Sequence, residues 1–182
     1  MSHPIQTLSE AVRQEEVDGW LFYGFHHRDP LADELLGIPV TQVNSRRWFY
    51  LVGSEPEANI RICHAIEAHA LESLPGSLKI YSSVEELKNT PHLFSGKRLA
   101  VQYSPYLPIF SYLDLGTAEL LKESGAVLLS SGNLIQKVKG VLTAEGIISH
   151  CRAAEHLKEI VELSAERIGE TLLHREDLYE GD

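Results

Sequence analysis

The stretch Tyr103–Gln136, YSPYLPIFSYLDLGTAELLKESGAVLLSSGNLIQ, decides how the rest of the chain is read. It opens on a Pro-rich loop in which Tyr103, Tyr106, Phe110 and Tyr112 cluster around Pro105 and Pro108. Asp114 then stands where an N-cap belongs, its carboxylate placed to accept from backbone N–H groups that the first helical turn leaves unpaired. The spacing predicts a helix over 115–123, stopped by Gly125. Ala126–Leu129 is wholly apolar and reads as a short buried strand, and Ser130-Ser131-Gly132-Asn133 reads as a polar turn.

Upstream the same alternation repeats. Leu78–Tyr81 reads as a strand, and Ser83-Val84-Glu85-Glu86 as a capping box opening a helix. Arg98–Tyr103 reads as a strand with Leu99 and Val101 on one face. Strands alternating with helices over 78–129 imply βαβ units and an α/β sheet. Earlier still, residues 5–17 carry Ile5, Leu8 and Val12 at helical spacing, an amphipathic helix ended by Gly19. Trp20–Tyr23, between Gly19 and Gly24, is a buried strand. Asp29 before Pro30 caps a short helix over 31–36, stopped by Gly37. Trp48–Val52 and Asn59–Cys63 form a hairpin across the 53–57 turn, which makes the sheet mixed rather than purely parallel. Residues 65–71 fit helix or loop equally.

The last part differs. From Thr143 to Leu173 there is no proline, and Ile147, Cys151, Ala154, Leu157, Val161, Ala165, Ile168 and Leu172 recur at steps of three and four. That is one face of a helix of about 30 residues, well above the usual ~11–12. A helix this long at the end of a compact domain is expected to pack on more than its own sheet. The tail from Arg175 to Asp182 does not read as a natural finish, so a longer chain is expected.

The 182 residues suffice for a core without staples. A net charge of −10 argues against nucleic acid, which requires a basic face, and disfavours anionic membranes. Two cysteines without CxxC spacing, Cys63 and Cys151, could pair as a disulfide but read in preference as buried thiols of a reducing compartment. No signal peptide and no apolar run near the ~18 residues of a membrane span is visible. These features suggest a cytoplasmic protein.

Taken in order, several segments resemble the N-terminal domain of the creatinase / Xaa-Pro aminopeptidase / prolidase family of metallopeptidases. They are the Asp18–Tyr23 strand, Arg47 followed by Trp48–Val52, Tyr103-Ser104-Pro105, Ser111–Thr117, Glu119-Leu120, Ser130–Gln136, and the long helix with Glu145, His150, Ala153 and Ala154. Leu115 departs from the small residues common there. The resemblance implies an α/β domain over 1–142, with a ribonuclease H-like motif and a mixed sheet flanked by helices. It also implies a linker helix over 143–182 leading to a C-terminal catalytic domain. There, two divalent metal ions (Mn, Co or Zn) would be held by two Asp, one His and two Glu, activating water and neutralising the developing oxyanion. No residue of this chain matches those ligands, so no catalytic, cofactor or metal-binding residue is assigned to it. The implied role is non-catalytic: homodimerisation and shaping of access to the active site.

Site candidates follow from residue type. His26, His27 and Asp29 could act as base and orienting acid, or simply form a solvated loop and a cap. Arg46 and Arg47 could clamp a carboxylate, or be surface charges at a strand start. Tyr103 and Tyr106 could face a partner, or pack within their loop. Asp114 and Thr117 read as a helix cap. Ser104 and Ser111 lie in no nucleophile elbow. His64 with His69, and His150 with His156, lack the i, i+4 spacing of a helical zinc pair. Two further readings stay open: a stand-alone binding or regulatory module of the same fold, and a small α/β hydrolase using the 26–29 loop.

Overall fold

The computed structural model describes residues 4–174 and Tyr179. It comprises two units, Met1–Gly140 and Val141–Asp182. The first holds a six-stranded sheet in the order β4-β3-β2-β1-β5-β6. Its strands are β1 (Gly19–Gly24), β2 (Trp48–Val52), β3 (Ile60–His64), β4 (Ser77–Tyr81), β5 (Arg98–Val101) and β6 (Val127–Ser130). β1 pairs antiparallel with β2 and parallel with β5; β2 pairs antiparallel with β3; β3 and β4, and β5 and β6, are parallel. Only β2 therefore runs against the rest.

The two faces of the sheet carry separate cores. On one, Trp20, Phe22, Trp48 and Tyr50 meet Ile5, Leu8 and Val12 of α1 (Pro4–Arg13), Leu35 and Leu36 of α2 (Pro30–Leu36) and Leu134 of α5 (Gly132–Lys139). On the other, Leu21, Tyr23, Phe49, Leu99 and Val101 meet Phe94 and Leu121, the latter from α4 (Leu115–Glu123), with Leu87 of α3 (Val84–Asn89) half-buried against them. β1 is buried at all six positions because it lies between both layers. This is why its sequence shows an unbroken aromatic and apolar run rather than alternation.

Most predicted elements form. Asp29, Ser83, Asp114 and Thr143 all cap helices with their side chains. Gly37 and Gly125 take the left-handed exits at φ 68° and 91°. Several boundaries differ. The first helix ends at Arg13, and residues 14–17 turn back toward β1. β5 ends at Val101, where the chain leaves the sheet for the Pro-rich loop. Residues 65–67 form a 3-10 turn. β6 is an edge strand with Val127 half exposed, so its apolar run does not mean burial. The stretch read as a polar turn after it continues as α5, whose Leu134 enters the core. Cys63 is buried, but Cys151 is exposed on its helix, which corrects the reading of two buried thiols.

The second unit contains α6 (Ala144–Leu173), a 30-residue helix about 45 Å long. Thr143 Oγ1 caps it, accepting from Gly146 N–H at 3.0 Å. The predicted stripe is exposed along it, with Ile147, Leu157, Val161, Ile168 and Leu172 all 44–66% accessible. Residues 175–178 and 180–182 of the tail lie outside the described residues.

Candidate functional site

The topology gathers the candidate residues at one edge of the sheet. The C-terminal ends of β1, β3, β4, β5 and β6, and the N-terminal start of antiparallel β2, all open there. After β1 the chain passes to α2 on one face, and after β5 to α4 on the other. Loops that leave adjacent parallel strands toward opposite faces open a crevice between them, the usual place for a site in such sheets. Phe25–Asp29, Asn44–Arg47 and Gln102–Asp114 lie at this edge.

His26 and His27 both adopt left-handed backbone, φ 53° and 52°. For two consecutive non-glycine residues this costs about 1–2 kcal/mol each and persists only where the surroundings enforce it. Here His26 N–H donates to the Asn44 carbonyl at 2.8 Å. The His27 ring spans Asp33 Oδ2 through Nδ1 and the Gln42 carbonyl through Nε2, both at 2.8 Å. The Gln42 contact, opposed by burial and reinforced by Asp33, raises the His27 pKa above its usual value. Asp29 is 5% exposed, which corrects the reading of a solvated loop. Its Oδ1 accepts from Ala32 N–H at 2.9 Å, yet burial, with Asp33 close by, pushes its carboxyl up to about 6. Asp29, Gln102, Tyr23, Leu21 and Leu113 line a gap too narrow for water, and the Gln102 amide nitrogen has no hydrogen-bond partner among the described residues.

On the other side of β1, Tyr23 meets the cap of α4. Thr117 N–H and Oγ1–H both donate to Asp114, at 3.0 and 2.7 Å. Burial would raise the Asp114 carboxyl, but these bonds, Tyr23 and the charge of Arg47 outweigh it and lower its pKa. Burial likewise raises the Tyr23 phenol. Thr117 and Asp114 are therefore a cap, as the sequence indicates, that also fixes a buried tyrosine. Arg47 is half-buried and borders a groove of about 570 Å³ with Lys88, His92, Glu119 and Glu123, a mixed-charge wall.

Arg46 is exposed, and its backbone is held by Glu67. The Glu67 carboxylate accepts from Ser45 N–H, Ser45 Oγ–H and Arg46 N–H at 2.5–3.1 Å. Burial opposes ionisation of Glu67, but these donors prevail and its pKa is lowered. Tyr103 and Tyr106 are 43% and 88% exposed, while Phe110 is buried, so the aromatic cluster divides between surface and core. His64 stacks edge-on against Tyr81 and caps the following turn, and His156 reaches Glu159.

Sequence reasoning missed Glu67, Asp33, Gln42 and Gln102. Asp33 lies four residues after Asp29 in the first turn of α2, a local signal. Gln42 and Glu67 act across 15 to 22 residues, and Gln102 meets Asp29 from a far more distant segment, so none of the three has a local signal. Among the described residues, no cluster of three or more His, Cys, Asp or Glu side chains could hold a metal ion. A groove of about 1020 Å³ lies at the opposite edge, between α1 and residues 56–59 and 72–75. Among the described residues, no helix is long and apolar enough to cross a membrane.

The fold defines an α/β domain with a mixed six-stranded sheet, followed by a long helix, and solved structures share it. Prolidase from Thermococcus sibiricus superposes with a TM-score of 0.56 at 15% identity, over 91% of this chain and 44% of that one. Prolidase from Pyrococcus horikoshii OT3 gives 0.52 at 14%, over 91% and 43%. Dipeptidase PepE from Mycobacterium ulcerans gives 0.55 at 11%, over 79% and 38%. No protein-family model and no curated protein matches the sequence. The family resemblance read from the sequence thus holds at the level of fold. The chain spans less than half the length of these three relatives.

Proposed function

We propose that this chain is the non-catalytic N-terminal domain of a cytoplasmic Xaa-Pro dipeptidase- or aminopeptidase-type dinuclear metallopeptidase, which supports homodimerisation and shapes access to the active site. The observation that carries the reading is the likeness to a prolidase over 91% of this chain but only 44% of the other. In this reading the two divalent metals, Mn, Co or Zn, belong to a C-terminal domain, and the exposed stripe of α6 is the surface that packs on it. The exposed His26, Arg46, Tyr103 and Tyr106 stand at one sheet edge and are the contacts toward substrate or a second copy. Half-buried His27 and Arg47 and buried Asp29 hold that edge in shape.

Intact mass of the native protein tests the proposal, together with peptidase assays of the isolated chain. A native mass about twice that of this chain, and no hydrolysis of Xaa-Pro dipeptides by the 182 residues supplied with Mn²⁺ or Co²⁺, are expected. Turnover by the pure chain near the ~1–10³ s⁻¹ of ordinary enzymes would overturn it. So would a native mass of 20.3 kDa, which would favour a stand-alone binding module.

A further inference from the structure

Both ring nitrogens of His27 face acceptors. Nδ1 is 2.8 Å from Asp33 Oδ2, and Nε2 is 2.8 Å from the Gln42 carbonyl. A neutral imidazole carries one N–H and can satisfy only one of them. The carbonyl cannot donate, so the arrangement requires an additional proton between His27 and Asp33. Histidine is the stronger base, and the proton belongs on the ring. The imidazolium then bridges α2 to the 39–47 segment. Without that proton, the Nδ1 lone pair would face a carboxylate.

The surrounding charges favour the protonated state. From α2 come Asp33, with a side chain 7% exposed, and Asp29 at the cap, whose own ionisation is disfavoured by burial and by Asp33. The 39–47 segment presents Gln42, whose amide nitrogen donates to the Ala70 carbonyl at 2.6 Å. Glu67, from the following turn, is committed to Ser45 and Arg46. His26 and Arg28, on either side in sequence, are exposed.

What the bridge holds is a strained loop, with His26 and His27 both at positive φ. Such backbone is retained only while its surroundings over-determine it. We propose that His27, Asp33 and Gln42 form a one-proton latch: protonated, it closes the 25–29 loop onto the 39–47 segment, and on deprotonation it releases that loop. Presentation of the sheet edge that carries Asp29, Arg46 and Arg47 is thereby pH-dependent. The latch concerns this chain alone and stands apart from the peptidase proposal.

The test is NMR of the chain across the neutral and alkaline range, reading the His27 ring nitrogens and amide exchange at His26 and Arg28, whose N–H groups donate to the Asn44 and Phe25 carbonyls. Both ring nitrogens should be protonated at neutral pH. As His27 titrates above the ordinary value, exchange at these amides should accelerate about tenfold beyond its intrinsic pH trend. In Asp33→Asn the new amide can donate to Nδ1 of a neutral ring, so the loop should stay protected without that step. A His27 that is neutral at neutral pH, or a titration that leaves the exchange unchanged, overturns the latch. So does an exchange step that survives in Asp33→Asn. If that variant does not fold, the wild-type titration decides alone.

Discussion

The sharpest quantitative consequence concerns Asp29. Asp29 is 5% exposed at the start of α2, and burial raises its pKa from the ordinary 3.8 to about 6. The native state therefore binds this proton more tightly than the unfolded chain does. Stability is greatest where Asp29 is protonated in both states, and it falls as pH rises from about 4 to about 6. At 1.36 kcal/mol per pH step, the ionised group lowers stability by about 3 kcal/mol at pH 8. Asp29→Asn keeps an N-cap oxygen for Ala32 N–H, and Asn caps as well as Asp. The variant should therefore be more stable than wild type at pH 8, by about 2 kcal/mol once imperfect pairing of the new amide is allowed for. It should lack the decline between pH 4 and 6. His27 has the opposite charge type but its pKa is also raised, so its contribution is lost at higher pH, as pH passes through its folded value, and should persist in the variant. Urea unfolding of both proteins between pH 4 and 9 reads each effect. Parallel pH profiles, or a variant less stable at every pH, would refute the argument that burial of a charge dominates at this cap.

Two further expectations follow from local geometry. Cys63 is buried and its thiol is pushed up to about 11, whereas Cys151 is exposed, so a thiol reagent at pH 8 should label one cysteine in the native protein and two in denaturant. Rapid native labelling of both would mean that the sheet core around Cys63 opens readily. At Gly37, φ is 68° and no atom lies within 4 Å of an added Cβ, so Gly37→Ala isolates backbone strain. It should lower stability by about 1 kcal/mol in urea unfolding, and a neutral or stabilising result would contradict the left-handed exit of α2.

The elements that were legible in the chain are those specified by neighbours a few residues apart. Asp29, Ser83 and Asp114 announce helix starts because the cap oxygen and the N–H groups it satisfies lie within three residues. The unbroken Trp20–Tyr23 run announces a strand covered on both sides, and the three-and-four periodicity of 147–172 announces α6. Where such reasoning went astray, the deciding interaction was distant. Val127–Leu129 is as apolar as a buried strand but falls at the sheet margin, because strand order is set by the pairing of β6 with β5 alone. Cys151 fits the apolar stripe of its helix yet is exposed.

The candidate site divides the same way. Residue type and local order single out His26, His27, Asp29, Arg46, Arg47, Tyr103 and Tyr106, and sequence order carries the likeness to the prolidase fold. Their convergence is a property of the sheet. Reversal of β2 alone brings Arg46 and Arg47 to the edge where β1 and β5 end. Restraint of Arg46 by Glu67 and placement of the Gln42 carbonyl against His27 come from chain segments 21 and 15 residues apart, and burial of Asp29 draws on Gln102 and Leu113, farther still along the chain. Sequence patterns encode the turn-by-turn preferences of backbone and side chains. Charge state and exposure depend on what the folded chain places against each group, and here only the tertiary structure decided them.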